Sequence, residues 1–140
     1  MREIRFLSTT PEYKELSNFY RCRIELGGEV WSSVEHYFQA MKFEGRPYAD
    51  VIRMAATAGE AARLGKSRQH PIRSDWNAVR EDIMYYALSA KFVQNATLKA
   101  LLLATGDAVL IESNPYDYYW GEGAKRTGQN RLGKLLMELR

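Results

Sequence analysis

Residues Trp31 to Phe43, WSSVEHYFQAMKF, constrain the fold of this chain more than any other stretch. Val34, Tyr37, Phe38 and Met41 recur at i, i+3, i+4 and i+7, which places them on one face of a helix. Glu35, Gln39 and Lys42 recur at i, i+4 and i+7 and make a polar stripe beside the apolar one. A helix shaped only by solvation spreads its charges over the outer face. Here an acid, an amide and an ammonium are aligned at the rim of the core. Ser32 and Glu35 also have the spacing of a capping box, so Glu35 has two readings, a carboxylate that closes the helix start and a carboxylate of a site. Spacing alone leaves both open.

A chain of 140 residues, 46% of them hydrophobic, is long enough for one domain, 1–140, with a substantial core. No apolar run reaches the length of a membrane span, and the opening MREIRFLSTT has no apolar leader region. The single cysteine, Cys22, excludes an intrachain disulfide and fits a reducing compartment, so a cytoplasmic protein is expected. Two histidines and that cysteine lie far apart in sequence, so no metal-ligand spacing exists and no metal is expected. The net charge of +3 is too small to argue for bulk nucleic-acid binding. Basic residues gather in two groups, Arg63, Lys66, Arg68 and Arg73, then Lys125, Arg126, Arg131 and Lys134. Each group reads either as a solvated surface or as a site for phosphate.

In chain order, residues 4–8 read as a strand, 11–16 as a polar turn, and 20–26 and 29–31 as a hairpin about Gly27-Gly28. The helix described above ends near Gly45 and Pro47, and a second follows over 47–57. Thr57 and Glu60 open a short alanine-rich helix that stops near Gly65, and 66–73 is a basic loop. Ser74 caps the longest helix, 75–94, with Trp76, Val79, Ile83, Tyr86, Ala87 and Ala90 on one face. A buried helix over 96–104 and a strand over 108–112 come next. Residues 113–129, SNPYDYYWGEGAKRTGQ, are irregular by composition yet rich in aromatics, the signature of an ordered loop with a task. Asn130 caps a last helix with Leu132, Leu135, Leu136 and Leu139 inward. The fold expected is α+β, mainly α-helical, with a small antiparallel sheet of the N-terminal strands, to which 108–112 is a candidate addition. The βαβ alternation and glycine fingerprint of a dinucleotide fold are missing, and no cofactor is expected.

The usual nucleophile sets are missing too. Cys22 is flanked by Arg21 and Arg23, but no histidine can be placed beside it. His36 follows Glu35 by one residue, points away from it, and is expected to be partly exposed. Glu35 and Asp117 are the acids best placed by context. Trp31, Trp76 and Trp120 offer flat surfaces for a heterocycle, while Arg68, Arg73, Lys125 and Arg131 can take phosphate oxygens. The amides at the start of the helix after Asn130 also suit an anion. Base, sugar and phosphate make a nucleotide-like ligand. The reaction that a carboxylate pair performs on it without metal is cleavage of the bond from base nitrogen to sugar.

Ser17-Asn18-Phe19, W-x-S-x-E-H-Y-F-Q-A-x-K-F from Trp31 to Phe43, A-A-R-x-G at Ala61 to Gly65, D-x-Y-W-G-x-G from Asp117 to Gly123 and the closing N-R-L-G-x-L-L-M-E-L-R resemble, in order, the YbiA-like or NADAR domain family. The resemblance implies the YbiA-like fold and hydrolysis of N-glycosidic bonds. The implied substrates are early ribosylaminopyrimidine phosphates of riboflavin synthesis or ADP-ribose on guanine, free or in nucleic acid. It implies Glu35 as the catalytic carboxylate, with Asp117 and Lys42 beside it. Asn18, Phe19, Trp31, Gln39, Arg68, Arg73, Trp76, Trp120, Gly121 and Arg131 would contact substrate. Neither membrane nor obligate protein partner is implied. The rival reading is a module that binds ADP-ribose or NAD-like ligands without chemistry.

Overall fold

The structure, a computed structural model, describes residues 2–140. In chain order its elements are β1 (Glu3–Phe6), a 3-10 turn (Lys14–Leu16), β2 (Ile24–Leu26), β3 (Glu29–Trp31), α1 (Val34–Met41), α2 (Pro47–Arg53), α3 (Ala58–Lys66), α4 (Trp76–Gln94), α5 (Ala96–Ala104), β4 (Val109–Glu112) and α6 (Arg131–Leu139). This is the α+β, mainly helical chain expected. No helix among the described residues is long and apolar enough to cross a membrane. Contacts gather in two compact units, one of Phe19–Asn95 and the other of Met1–Asn18 with Ala96–Arg140.

In the Phe19–Asn95 unit, α1 packs on α2, α3 and α4, and the buried Val34, Phe38 and Ala40 supply its apolar face. The expected antiparallel sheet is the β2–β3 hairpin alone, with Ile24 opposite Trp31 and Leu26 opposite Glu29. Its first strand is shorter than the expected 20–26. The Cys22 amide still reaches the Ser32 carbonyl at 3.0 Å, so the chain stays paired beyond the ladder without regular strand geometry.

Two local expectations are corrected here. The N-cap of α1 is Ser33, not Ser32: the Ser33 hydroxyl accepts from the His36 amide at 3.2 Å. The Ser32–Glu35 capping box is therefore not what closes this helix. On α4 the buried side is Trp76, Met84, Ala87, Leu88, Lys91 and Phe92, whereas Tyr86, expected inside, is 66% exposed. The pattern misled because a charged residue sits in the buried stripe. The Lys91 ammonium is fully enclosed, 5.1 Å from the Phe92 ring centroid and 5.9 Å from that of Tyr20. At α3 the expectation holds, with the Thr57 hydroxyl accepting from the Glu60 amide at 3.0 Å.

In the other unit, β4 joins β1 in parallel, Glu3 opposite Val109 and Phe6 opposite Glu112, rather than extending the antiparallel hairpin. Parallel pairing needs a long connection between its strands, and the hundred-odd intervening residues supply one. Asn130 stands at the N-cap of α6 as expected, but in the left-handed region (φ 50°) and without a side-chain bond to the helix. Its amide is spent on β4 instead: Oδ1 accepts from the Glu112 amide at 3.0 Å and Nδ2 donates to the Leu110 carbonyl at 2.9 Å. Gly133, on the first turn of α6, lies so close to β4 that a Cβ there would run into the Leu110 carbonyl oxygen and the Asn130 amide. Gly133→Ala is therefore expected to lower stability by about 1–3 kcal/mol, the range for overpacking a tight contact, as read from denaturant unfolding.

Candidate active site

α1 builds the site from one stripe. Glu35, Gln39 and Lys42 are 8%, 5% and 7% exposed, an acid, an amide and an amine all withdrawn from water along one side of a helix and its last turn. Gln39 Nε2 donates to Glu35 Oε2 at 2.9 Å, which fixes the carboxylate one helical turn away. The Gln39 oxygen faces the other way, towards α3, and has no hydrogen-bond partner among the described residues. The helices can approach so closely only because position 65 is glycine: a Cβ on Gly65 would occupy the place of the Gln39 carboxamide. From sequence Gly65 is expected only to stop a short helix, which in the structure continues to Lys66.

The Gly65 carbonyl then gathers the cations. Lys42 Nζ donates to it at 3.3 Å and Arg68 Nη1 at 3.1 Å, the latter also reaching the Ser67 carbonyl at 3.2 Å. Lys42 Nζ further lies 5.9 Å from the centroid of the Trp76 ring, whose neighbour at 4.9 Å is Phe38. Trp76 is thus buried as the wall behind an ammonium rather than an open platform. Burial is the main force on the Lys42 amine, with the charges of Arg68 and Lys66 acting in the same sense and the Glu35 carboxylate opposing them. The amine is pushed down from 10.5 to about 8.

Of the other basic residues, Arg73 is committed elsewhere. Its Nε donates to Asp75 at 2.6 Å, Nη2 to the same carboxylate at 3.1 Å and Nη1 to Glu44 at 3.3 Å. Arg68 is exposed and bonds only through Nη1 among the described residues, which leaves two nitrogens for a ligand. Trp31 serves the hairpin: its indole donates to the Leu26 carbonyl at 3.1 Å and meets Tyr37 edge-on at 5.0 Å. It lines a cavity of about 630 Å³ with Glu44 and with Tyr37 and Met41, which are on the side of α1 away from Glu35. Phe19 is exposed, and His36, expected at the surface, is 1% exposed.

The remaining expected residues belong to the other unit. Asn18 is buried there. Asp117 Oδ1 accepts from the amides of Tyr119 at 2.9 Å and Trp120 at 2.8 Å, a turn closed by its own side chain. Trp120 is half-buried and meets Tyr119 edge-on at 4.9 Å, and Gly121 is buried. The amides of Arg131 and Leu132 donate to the carbonyls of Tyr119 and Trp120 at 3.0 and 3.1 Å. These first-turn amides of α6, expected to be open to an anion, are therefore taken by the loop before it. Lys125, Arg126 and Lys134 are exposed. Glu122, which sequence reasoning passed over, is buried and paired with Arg5 at 3.2 Å. No group of His, Cys, Asp or Glu among the described residues could hold a metal ion.

The free nitrogens of Arg68 and the engaged ones of Arg73 make opposite predictions. With ribose 5-phosphate as the probe, Arg68→Ala is expected to weaken binding by about tenfold or more, the loss of a charge-assisted hydrogen bond. Arg73→Ala should leave it within about twofold. Calorimetry on the two variants reads the difference.

The family model described as the NADAR domain matches residues 5–140. The chain is 48% identical over 137 residues to the N-glycosidase YbiA of Escherichia coli, a match covering 98% of this chain and 86% of that protein. It is 41% identical over 140 residues to an N-glycosidase of Nostoc punctiforme, covering 98% and 90% of the two. A riboflavin biosynthesis protein of Vibrio vulnificus is 39% identical over 137 residues, which are 98% of this chain but 37% of that protein. The solved NMR structure of E. coli YbiA superposes with a TM-score of 0.90 at 47% identity, covering all of this chain and 84% of that one.

Proposed function

Since the chain belongs to the NADAR domain family, we propose that it is an N-glycosidase that hydrolyses the bond between a heterocyclic base and the ribose of a phosphorylated, nucleotide-like substrate. The observation that carries this reading is the buried Glu35 carboxylate, held by Gln39 beside an amine lowered to about 8. Hydrolysis of such a bond needs both groups. As the bond from C1′ to the base nitrogen breaks, its electron pair leaves with the base and positive charge develops on the sugar. Glu35 offsets that charge and takes a proton from the water whose oxygen bonds to C1′. The Lys42 ammonium gives a proton to the departing nitrogen. An amine near 8 does this well, being protonated at neutral pH yet a stronger acid than an ordinary lysine. The proton on Glu35 then returns to the Lys42 amine through solvent, and the products are the free base and the ribose with its phosphate still attached.

Arg68 takes the substrate phosphate in this assignment. Asp117 is proposed as the second carboxylate, acting through Oδ2, since Oδ1 is spent on its loop. Asn18, Phe19, Trp120, Gly121 and Arg131 are proposed as substrate contacts. The names of relatives support ribosylaminopyrimidine phosphates as one substrate class, and the family resemblance supports ADP-ribosyl guanine as the other. A cytoplasmic setting fits the free Cys22.

Glu35→Gln keeps shape and removes charge. It is expected to cut kcat by on the order of 10²–10⁴-fold while substrate still binds, with release of free base from both substrate classes as the assay. If the wild type binds ADP-ribose in calorimetry yet releases no base from either substrate, the protein is a binding module instead. The Lys42 reading fixes a pH dependence. Its proton is lost around pH 8 rather than 10.5, so kcat/KM should fall on the alkaline side with a limb near 8. That limb should vanish, with most of the activity, in Lys42→Met.

A further inference from the structure

His36 is a buried titratable group that the chemistry above does not use. Both ring nitrogens are engaged: Nε2 lies 3.0 Å from the Ala55 carbonyl oxygen and Nδ1 lies 2.7 Å from Ser33 Oγ. A carbonyl can only accept, so the ring proton sits on Nε2. In the neutral ring Nδ1 is then an acceptor, and the Ser33 hydroxyl must be the donor to it. The same Ser33 oxygen accepts from the His36 amide at 3.2 Å. One hydroxyl thus ties both the backbone and the ring of a single residue, and the ring reaches across to the segment between α2 and α3. Arg21 bonds the same segment, donating to the Ala56 carbonyl at 2.5 Å.

We infer that Ser33 and His36 form a positioning device for the Glu35 carboxylate: the neutral ring, protonated on Nε2, pins the first turn of α1 to the start of α3 and so fixes the rotation of the helix that carries the site. The inference rests on the catalytic assignment of Glu35. The device couples the two helices that the site needs in register. α1 brings Glu35, Gln39 and Lys42, and α3 brings the Gly65 carbonyl that Lys42 binds. Ala55 is three residues before the first residue of α3, so holding it holds that helix's start.

The device also has a direction in pH. Burial lowers the ring below its usual range, the Ala55 carbonyl opposes this, and the Arg21 charge adds to the lowering. A second proton, on Nδ1, would point at an oxygen that already accepts from the His36 amide, and the hydroxyl would have to turn away. A histidine whose folded value is depressed contributes its stability above the unfolded value, about 6.5, and loses it as pH falls towards the folded one.

The test uses the full chain and whichever substrate the wild type turns over. Long-range ¹H–¹⁵N spectra of the wild-type ring at neutral pH should show the proton on Nε2. A proton on Nδ1 would overturn the inference without any variant. Ser33→Thr retains the hydroxyl and should keep kcat within about twofold. Ser33→Ala and His36→Leu, assayed where circular dichroism shows them folded, should lose about tenfold or more in kcat with KM little changed. In a Glu35→Gln background His36→Leu should cause a smaller further loss than in the wild type, because one of the groups it positions has already lost its charge. A folded His36→Leu with wild-type kcat, a loss confined to KM, or an equal further loss in the Glu35→Gln background each overturns the inference. If His36→Leu does not fold, the contrast between Ser33→Ala and Ser33→Thr decides. Failure of the underlying assignment is seen separately, as wild-type turnover in Glu35→Gln alone.

Discussion

The close approach of α1 to α3 at Gly65 is the constraint from which the rest of the site follows. With no side chain at position 65, the Gln39 carboxamide lies against the α3 backbone and is left one orientation, amine towards Glu35 and oxygen towards α3. That orientation leaves a buried oxygen without a hydrogen bond, a cost of about 1–3 kcal/mol in a typical interior. The opposite orientation would turn the amide oxygen on the carboxylate and be worse, two acceptors meeting with no proton between them. The site thus keeps the smaller of two penalties, and what it obtains is a carboxylate with a fixed position. Departures from local satisfaction of this kind concentrate where a chain does chemistry.

Electrostatics carry the same logic one step further. Lys42 is buried beside Arg68 and Lys66, which disfavour its charge, and beside Glu35, which favours it. The balance as it stands is against the charge. A substrate phosphate binding at Arg68 would cancel that neighbour's influence, because the guanidinium charge would be neutralised by its own ligand. The ammonium would then be held more firmly when substrate is present than when it is absent. In the proposed reaction the proton needed by the leaving base would thereby be secured by the part of the substrate that takes no part in bond breaking, an instance of remote binding interactions serving the reacting centre.

Much of this could be read from the sequence, and what could not had physical causes. The two stripes of α1 were legible because helical spacing alone determines which residues share a side, and Glu35, Gln39 and Lys42 do lie together. Their cluster partners were not. Gly65 acts through space it leaves empty and a carbonyl that every residue type possesses, so no side-chain pattern could announce it. Arg68 and Arg73 look alike in sequence, yet Asp75 and Glu44 occupy one and not the other. The buried side of α4 was misjudged because Lys91 interrupts the apolar pattern that would have marked it. The β1–β4 pairing joins residues more than a hundred positions apart, and its parallel sense depends on the path between them. In the aromatic loop the ordering was foreseeable from its composition. The capture of the α6 amides by the Tyr119 and Trp120 carbonyls was not, since it requires knowing where the loop returns.

The Glu35 ambiguity shows how small a shift decides between structure and chemistry. Had Ser32 capped α1, Glu35 would stand third in the helix, where a glutamate reaches back to the cap's own amide. With the cap at Ser33 it stands second, and the bond that holds its carboxylate comes from Gln39, one turn further on. The cap's hydroxyl is then tied to His36, the residue that now occupies the third position. The serine pair in W-S-S offers either register with equal local chemistry. In the register adopted, the ring of His36 bonds Ser33 on one side and the Ala55 carbonyl on the other, and the helix begins at Val34. In that register His36, and not the glutamate, holds the position that its spacing suggests for a capping partner.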